Sequence, residues 1–296
     1  MVERLSVSRV IFNVINYALM IGLALVCIAP LVHVLMASLS DPRMLMASRG
    51  ILWWPVGDAT LAGYKIVLRN SSILTGYINT LIYVAATTIG GAILTVMAAF
   101  VISRNDLKLK TPITLMILFT MMFSGGLIPS YIVNLSLGLI NNRLAVILPG
   151  IINAFFIIMM KSAFDQLPDS YEESAKLDGA GPLTILARIL VPLVKATIAV
   201  IIMYNVVMQW NSWFPASIYL TKRRDLWPLQ LFMREILVQN DSSIILTGSD
   251  ALGKADLTRN LVKYCVTIIG TLPILAIYPF AQKYFVKGVT LGGVKG

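Results

Sequence analysis

Charged residues are scarce in this chain of 296 residues: they make up only 13% of it, whereas 57% of the residues are hydrophobic. Soluble globular domains usually carry about 25% charged residues. Too little polar surface therefore remains for a water-soluble protein of this length. The high hydrophobic content also excludes an intrinsically disordered chain, which needs low hydrophobicity. We expect a membrane protein.

Cysteine and histidine are nearly absent, with two Cys and one His. Cys27 and Cys265 both lie in apolar runs, so they do not form a disulfide framework. His33 lies deep in an apolar segment, where a neutral imidazole hydrogen-bonded to a neighbouring helix is favoured over a proton relay because no span offers an acidic partner. No C-x-x-C, H-E-x-x-H or intramembrane carboxylate pair is present. The sequence therefore predicts no catalytic residue, no metal ligand and no cofactor bound by this chain.

Acidic residues are the rarer charges, since 24 Lys and Arg stand against 14 Asp and Glu, a net charge of +10. In so apolar a chain, Lys and Arg are expected at the ends of membrane spans rather than on a nucleic acid. Half of the basic residues fall on each side of the predicted membrane, so their count leaves the orientation open. Trp53-Trp54-Pro55 is an aromatic cluster typical of a membrane interface.

Six apolar stretches reach the roughly 20 residues that a helix needs to cross a hydrocarbon core of about 30 Å. Their interiors contain no Asp or Glu, as expected of helices in lipid or in a bundle. They predict an all-α polytopic membrane protein in which residues 1–296 form a single transmembrane domain. The predicted spans are residues 13–38, 77–102, 112–134, 143–164, 193–218 and 261–283.

One phosphate-binding pattern is rejected. Gly248–Lys254 matches a P-loop, but Ala255 occupies the position of the Ser or Thr that holds Mg²⁺. No α/β pattern surrounds the match, so a flexible loop is predicted.

The polar segment 165–192 predicts two short helices at one membrane face. Asp169 or Ser170 can cap the first helix, with Glu172 or Glu173 at the capping-box position. That helix is expected to end at Gly179, since glycine suits the left-handed position after a helix.

Proline bounds the second helix of this segment. Pro182 suits the first turn of a helix over Leu183–Leu190, and Pro192 is expected to close it. The resulting helix–turn–helix is either an ordinary interfacial loop or a segment that docks on a partner.

A family resemblance rests on this segment. Glu173-Ser174-Ala175, then Gly179, then Ile189-x-Val191-Pro192 resemble the E-A-A-x₃-G-x₉-I-x-L-P loop of permease subunits in binding-protein-dependent ABC importers. Ser174 and Val191 depart from that pattern conservatively. The further motifs Asp178–Ala180, Trp210–Trp213, Ser124–Pro129 and Gln282–Gly288 are similar to those of maltose-type carbohydrate permeases and of an oligosaccharide branch among them.

The resemblance implies a permease subunit without enzymatic activity of its own. It would pair with a second, non-identical permease and two ATPase subunits, which use ATP and Mg²⁺, and would receive a saccharide from an extracytoplasmic binding protein. The polar segment and both termini would lie in the cytoplasm of a bacterium, with the spans in its inner membrane. The ATPase-coupling residues so implied are Glu172, Glu173, Ser174, Ala175, Asp178, Gly179 and Ala180.

Polar residues of the fifth span are candidates for a substrate path. Asn205, Gln209 and Ser212 are spaced i, i+4, i+7 and predict one helix face, which Trp213 continues. These side chains suit sugar hydroxyls and sugar C–H faces, although interhelical hydrogen bonding explains them equally well. Weaker candidates are Asn153, Thr120 and Asn79.

Lys222, Arg223 and Arg224 begin the longest loop, residues 219–260. They are either a cluster that snorkels at the interface or a contact for an extracytoplasmic binding protein or an anionic saccharide. The last alternative suits a uronate polymer such as alginate. An ion-coupled secondary transporter and an assembly scaffold are the competing functions, and copurification with an ATPase separates them from a permease.

Overall fold

The computed structural model describes the backbone of residues 7–238 and 252–292 and the side chains of residues 7–238 and 259–279. Every regular element within these ranges is helical, which confirms the predicted all-α fold. The helices are α1 (Val7–Ser38), α2 (Pro42–Ala47), α3 (Ala62–Arg69), α4 (Ser71–Ser103), α5 (Lys110–Met122), α6 (Leu127–Ser136), α7 (Leu144–Ile151), α8 (Ala154–Asp165), α9 (Ser170–Leu177), α10 (Pro182–Leu193), α11 (Lys195–Trp210), α12 (Phe214–Tyr219), α13 (Leu229–Leu237) and α14 (Leu252–Gly292).

Within the part of the chain that the structure describes, four helical segments are long and apolar enough to cross a membrane: α1, α4, α7 with α8, and the Arg259–Pro279 part of α14. The bent pairs α5–α6 and α10–α11 also pass this test, which gives up to six spans if each pair is one span. The four continuous segments overlap the spans predicted at residues 13–38, 77–102, 143–164 and 261–283.

The third predicted span is not one straight helix. α5 and α6 meet at an angle of 112°. Gly126 lies between them with φ +84°, a conformation that residues with a Cβ rarely adopt. Its N–H donates to the Ser124 hydroxyl instead of a helical carbonyl. The Ser-Gly-Gly sequence therefore breaks the span near its middle.

The fifth predicted span is shorter than expected. α11 ends at Trp210, and residues 211–213 are not helical. Pro215 lacks the N–H that would continue the helical ladder to the Asn211 carbonyl. Ser212 and Trp213 therefore do not continue the polar face of α11, and this part of the prediction was wrong.

The chain divides into two compact units, the first comprising Met1–Ser71 with Met233–Leu272 and the second comprising Ser72–Phe232 with Pro273–Gly296. Within the first unit, His33 Nδ1 accepts the N–H of Leu52 at 3.1 Å. Its ring also lies nearly perpendicular to the Tyr264 ring, with the two centroids 5.7 Å apart. His33 is thus hydrogen-bonded as favoured, although its partner is a loop amide and not a neighbouring helix.

Among the described residues of the second unit, two buried apolar clusters include α4, one near its C-terminal end and one in its N-terminal half. The cluster near its C-terminal end joins α4 to α8, α9 and α10 through Ala99, Ile102, Phe156, Met160, Phe164, Ala175, Ile185 and Leu190. The cluster in its N-terminal half contains Tyr83, Val146, Ala216, Leu220, Leu226 and Leu231. Residues 248–251 of the P-loop-like segment and residues 293–296 of the tail lie outside the described residues.

Candidate functional site

The predicted helix–turn–helix is present as α9 and α10. Asp169 occupies the N-cap position of α9, but its side chain makes no capping hydrogen bond, so the predicted capping box is not formed. The Asp169 carbonyl accepts the N–H of Glu173 at 3.0 Å. Glu172 and Glu173 in the first turn suit the positive end of the helix dipole.

Gly179 ends α9 as predicted. It has φ +77°, its N–H bonds to the Lys176 carbonyl at 3.0 Å, and the N–H of Ala180 bonds to the Ala175 carbonyl at 2.9 Å. This pair of bonds is a Schellman motif. A Cβ on Gly179 would meet no atom within 4 Å, so this turn faces open space.

α10 is one helical run that passes through Pro192. Pro182 begins it as predicted, but the turn over Ile185–Leu190 is a π-helix and the run continues to Leu193. The prediction that Pro192 closes the helix was therefore wrong. A proline has no N–H to donate to the carbonyl four residues before it. The π-helical turn ends two residues before Pro192, the residue at which this hydrogen bond is missing.

One face of α9 is held by the rest of the chain. Ala175 is buried in the apolar cluster that also contains Ile185 and Leu186 of α10. Glu172 forms ion pairs with Arg104, the residue after α4, and with Lys176 at 2.9 Å. These contacts fasten α9 to the end of α4.

Arg104 is a site residue that the sequence interpretation missed. Its guanidinium lies 4.8 Å from the Phe100 ring centroid and donates to the Ser103 hydroxyl. Burial lowers the pKa of Arg104 below its ordinary value, while Asp169, Asp106 and Asp165 act in the opposite direction. The available signal was a lone arginine directly after a span, since such a cation can face the acidic segment 165–178.

The opposite face of α9 and its turn is exposed. Glu173, Ser174 and Asp178 lie there, beside apolar side chains that have no cover within the described residues. Leu177 is 89% exposed and Leu183 at the start of α10 is 71% exposed, while Tyr171 in the first turn of α9 is 46% exposed. A surface that combines large apolar side chains with carboxylates is typical of a protein contact.

A second group of candidates lies where α4, α7 and α11 meet. Asn205 is buried, and its Nδ2 lies 3.1 Å from the position of a Cβ on Gly91. Gln209 Oε1 lies 3.3 Å from the corresponding position of Gly150. Each amide therefore lies close to a glycine of a neighbouring helix. The two amides themselves are about one turn of α11 apart.

Asn153 and Trp213 have local structural roles. Asn153 caps α8 by accepting the N–H of Phe155 at 2.9 Å. Trp213 packs against the cluster of Tyr83 and Val146. Ser212 lies beside Trp213 beyond the end of α11, so neither residue joins Asn205 and Gln209 on one helix face.

The basic cluster is exposed and partly paired within its own loop. Arg223 makes two hydrogen bonds to Asp225, at 2.9 and 2.8 Å. These bonds lower the pKa of Asp225 below its usual value. Arg224 lies over the Trp227 ring at 4.7 Å, and the backbone N–H of Lys222 donates to Asn141 Oδ1.

Side chains of α4 hold the segment that follows this cluster. Asn79 Nδ2 donates to the carbonyls of Asp225 and Trp227 at 2.7 and 3.1 Å. Tyr83 donates to the Leu226 carbonyl at 2.6 Å, and Arg143 donates to Asn79 Oδ1 at 2.8 Å. Sequence reasoning missed Tyr83 and Arg143, because most of these bonds reach backbone atoms far away in the chain, which carry no residue pattern.

Comparison with known proteins decides the family. Residues 91–291 match the family described as "Binding-protein-dependent transport system inner membrane component". The chain belongs to this family. The match covers the α9–α10 loop, so the resemblance drawn from the E-S-A-x₃-G pattern is confirmed.

This inner membrane component is similar to several known proteins over most of their length. It is 36% identical to the polygalacturonan/rhamnogalacturonan transport system permease protein YtcP of Bacillus subtilis, over 97% of this chain and 99% of that protein. It is 34% identical to Protein LplC of the same organism, over 97% and 95%. A chain in the crystal structure of a bacterial ABC transporter involved in the import of the acidic polysaccharide alginate matches with a TM-score of 0.86 and 28% identity, over 96% of this chain and 99% of that one.

A first test asks whether the ion pair of Glu172 with Arg104 stabilises this inner membrane component. Both side chains are less than one-fifth exposed, so we expect a coupling energy of about 1–2 kcal/mol in a double-mutant cycle. Arg104→Gln and Glu172→Gln should each lower the melting temperature of the purified protein, and the double variant should lower it by less than their sum. Additive shifts would contradict the pairing.

Lys176→Gln is the matched control for this cycle. Lys176 contacts the same carboxylate, but its side chain is 57% exposed. Exposed pairs contribute little, so its melting temperature should stay close to that of the unchanged protein.

Proposed function

We propose that this chain is the permease subunit of an ATP-driven importer that moves an oligosaccharide or polysaccharide across the membrane by alternating access. The observation that carries this proposal is the exposed face of α9, which belongs to a loop anchored in the permease and leaves apolar and acidic side chains for a partner. Residues 1–296 act as one transmembrane domain in this proposal, and the saccharide comes from an extracytoplasmic solute-binding protein.

The partners follow from the family and from the need for an energy source. A second permease, most simply a different chain, completes the path through the bilayer. Two ATPase subunits bind ATP and Mg²⁺ and carry out hydrolysis, while this chain binds no cofactor and catalyses no reaction. The exposed side of α9 faces the ATPase, so the α9–α10 loop and both termini lie in the cytoplasm, with the spans in a bacterial inner membrane.

The coupling residues divide into two roles in this proposal. Glu173, Ser174, Asp178 and Gly179 contact the ATPase, since they lie on the exposed face, and Ala180 shares their turn. Glu172 and Ala175 anchor the loop, because they point into the permease. A movement of the ATPase surface is then passed to α4 and α8 through the buried cluster.

The substrate path is proposed along irregular backbone and along amide side chains that are buried or half-buried. Backbone that leaves the helical ladder at membrane depth is tolerated only where it is covered by protein or lines a water-filled cavity. The break at Phe123–Gly126 is exposed on this chain, which supports a place on the path. Gln209, Asn205 and Asn153 supply further hydrogen-bonding groups, with Ser212 and Trp213 beyond the end of α11.

The substrate class rests on the relatives. Their names mention polygalacturonan, rhamnogalacturonan and the acidic polysaccharide alginate, so a saccharide with uronate units, alginate among them, is the proposed cargo. The exposed cluster of Lys222, Arg223 and Arg224 suits contacts with the binding protein or with such an anion, and Arg223 is also hydrogen-bonded to Asp225.

Reconstitution tests this function directly. The chain is coexpressed with the second permease, the ATPase and the binding protein of its gene neighbourhood, and the purified complex is placed in proteoliposomes. Uptake of labelled oligogalacturonate or oligoalginate should require internal ATP and the binding protein, and an ion gradient alone should give none. Uptake that an ion gradient drives without ATP would overturn the proposal.

A further inference from the structure

Residues 39–69, which lie between α1 and α4, are held by hydrogen bonds within the segment and to the end of α1. We call this segment the α2–α3 platform. The N–H of Asp41 donates to the Val56 carbonyl at 3.0 Å, and the Ser38 hydroxyl lies 2.7 Å from the Tyr64 hydroxyl. The platform therefore holds its side chains in one arrangement.

The platform buries few of its apolar residues and exposes the larger ones. Leu45, Leu52 and Val67 are buried, whereas Trp54 is 80% exposed. The other large apolar side chains that it exposes are Met44, Met46, Ile51, Trp53, Leu61 and Leu68. So much apolar surface on a fixed segment indicates an environment other than bulk water.

Helix α3 and its N-cap residue Leu61 carry part of this surface as a stripe along one side. Leu61, Lys65, Leu68 and Arg69 follow one another at helical spacing, and all four are exposed. Apolar side chains alternating with long basic ones allow a helix to lie in the interface, with its aliphatic stems in apolar surroundings and its charges in the headgroup layer.

The lengths of the flanking helices place the platform at headgroup depth. α1 has 32 residues and α4 has 33, so each is about 50 Å long. A bilayer with its headgroups is about 40–45 Å thick. Only Asn70 separates α3 from α4, and α2 begins four residues after α1 ends, so the platform cannot lie far from the lipid surface.

The charge of the platform suits an anionic surface. Its four cations, Arg43, Arg49, Lys65 and Arg69, are all exposed. None of them forms an ion pair within the part of the chain that the structure describes. Against them stand only Asp58 and Asp41, and Asp41 is occupied in capping α2.

We infer that the α2–α3 platform is a lipid-binding surface that lies in the headgroup layer and selects anionic phospholipids. Trp53 and Trp54 occupy the interface, where amphipathic aromatic rings are favoured. The four cations contact phosphate groups, and each of them adds attraction that salt screens.

Tryptophan fluorescence tests the position of the platform. The full-length protein is placed in nanodiscs that contain phosphatidylcholine brominated close to the headgroup, a contact quencher. The double variant with Trp53→Phe and Trp54→Phe should lose most of the quenchable emission. Trp227→Phe is the control, since Trp227 is partly buried beneath Arg224, and it should leave the quenched fraction unchanged.

Lipid selection is tested by offering the protein phosphatidylglycerol and phosphatidylcholine in equal amounts. The ratio of the two lipids that stay bound to the purified protein is then measured. Lys65→Gln with Arg69→Gln should lower the preference for phosphatidylglycerol by up to about fivefold per removed cation. Lys65→Arg with Arg69→Lys should keep it. Lys222→Gln with Arg224→Gln removes two cations from another exposed loop and should also keep it.

Two results would overturn the inference. Unchanged quenching and unchanged lipid preference would show that the platform does not contact headgroups. Unchanged lipid preference together with weaker capture of the solute-binding protein would assign the same surface to a protein partner instead.

Discussion

Gly179→Asp is expected to abolish uptake while the protein still inserts and folds. The new side chain meets nothing within the permease, because a Cβ at this position has no neighbour within 4 Å. It would, however, place a carboxylate where the ATPase is proposed to approach the backbone. An unpaired buried charge in an interface costs about 2 kcal/mol or more, which corresponds to at least about 30-fold weaker association. ATP-dependent uptake and ATPase copurification measure this effect.

Gly138→Asp is the matched control for this variant. Gly138 has φ +68° and Gly179 has φ +77°, and a Cβ on Gly138 also meets no atom within 4 Å. The backbone strain of the substitution is therefore nearly the same at both positions. Gly138→Asp should retain uptake, and an equal loss in both variants would assign the effect to backbone strain instead of a partner.

Gly91→Ala is expected to destabilise the junction of α4, α7 and α11. Its methyl group would lie 2.8 Å from the Ile151 carbonyl oxygen and 3.1 Å from Asn205 Nδ2. Overpacking of this kind costs about 1–3 kcal/mol, more than the roughly 0.5–1 kcal/mol that alanine gains over glycine inside a helix. The melting temperature should fall by several degrees, and uptake should fall with it, because the proposed path runs through this junction.

Gly90→Ala separates overpacking from the intrinsic effect of alanine. A Cβ on Gly90 would lie 3.5 Å from the Ile151 side chain, an ordinary contact. Its melting temperature should therefore stay the same or rise. Adding Asn205→Ala to Gly91→Ala should restore little, because the carbonyl of Ile151 remains in place. Equal melting temperatures for the two glycine variants would contradict the packing argument.

The fold class and the approximate positions of the spans were predictable from the sequence, because burial in lipid demands long apolar runs without acids. The breaks were not predictable in the same way. Ser124-Gly125-Gly126 lies within an apolar run, and hydropathy carries no information about the backbone conformation of Gly126. Pro215 was visible in the sequence, yet its effect reaches four residues back and ends α11 before Ser212.

The candidate site was predictable where local backbone chemistry decides it and unpredictable where distant contacts do. The end of α9 at Gly179 follows from the conformational freedom of glycine, and it was predicted. The division of α9 into an anchored and an exposed face depends on Arg104, which lies 68 residues before Glu172 in the chain. No spacing rule connects two such residues, so Glu172 and Glu173 looked equivalent in the sequence.

Helix α4 is joined to other segments at both of its ends. Near its start, Asn79 and Tyr83 hold residues 225–227, and directly after its end Arg104 holds Glu172. About 35 Å of continuous helix separates these points at 1.5 Å per residue. A rod that is fixed in this way acts as a lever: a tilt of about 10° around its middle moves the two ends by about 3 Å each, in opposite directions. We therefore expect a displacement of the α9 loop to shift residues 225–227 as well, without any change of secondary structure in between.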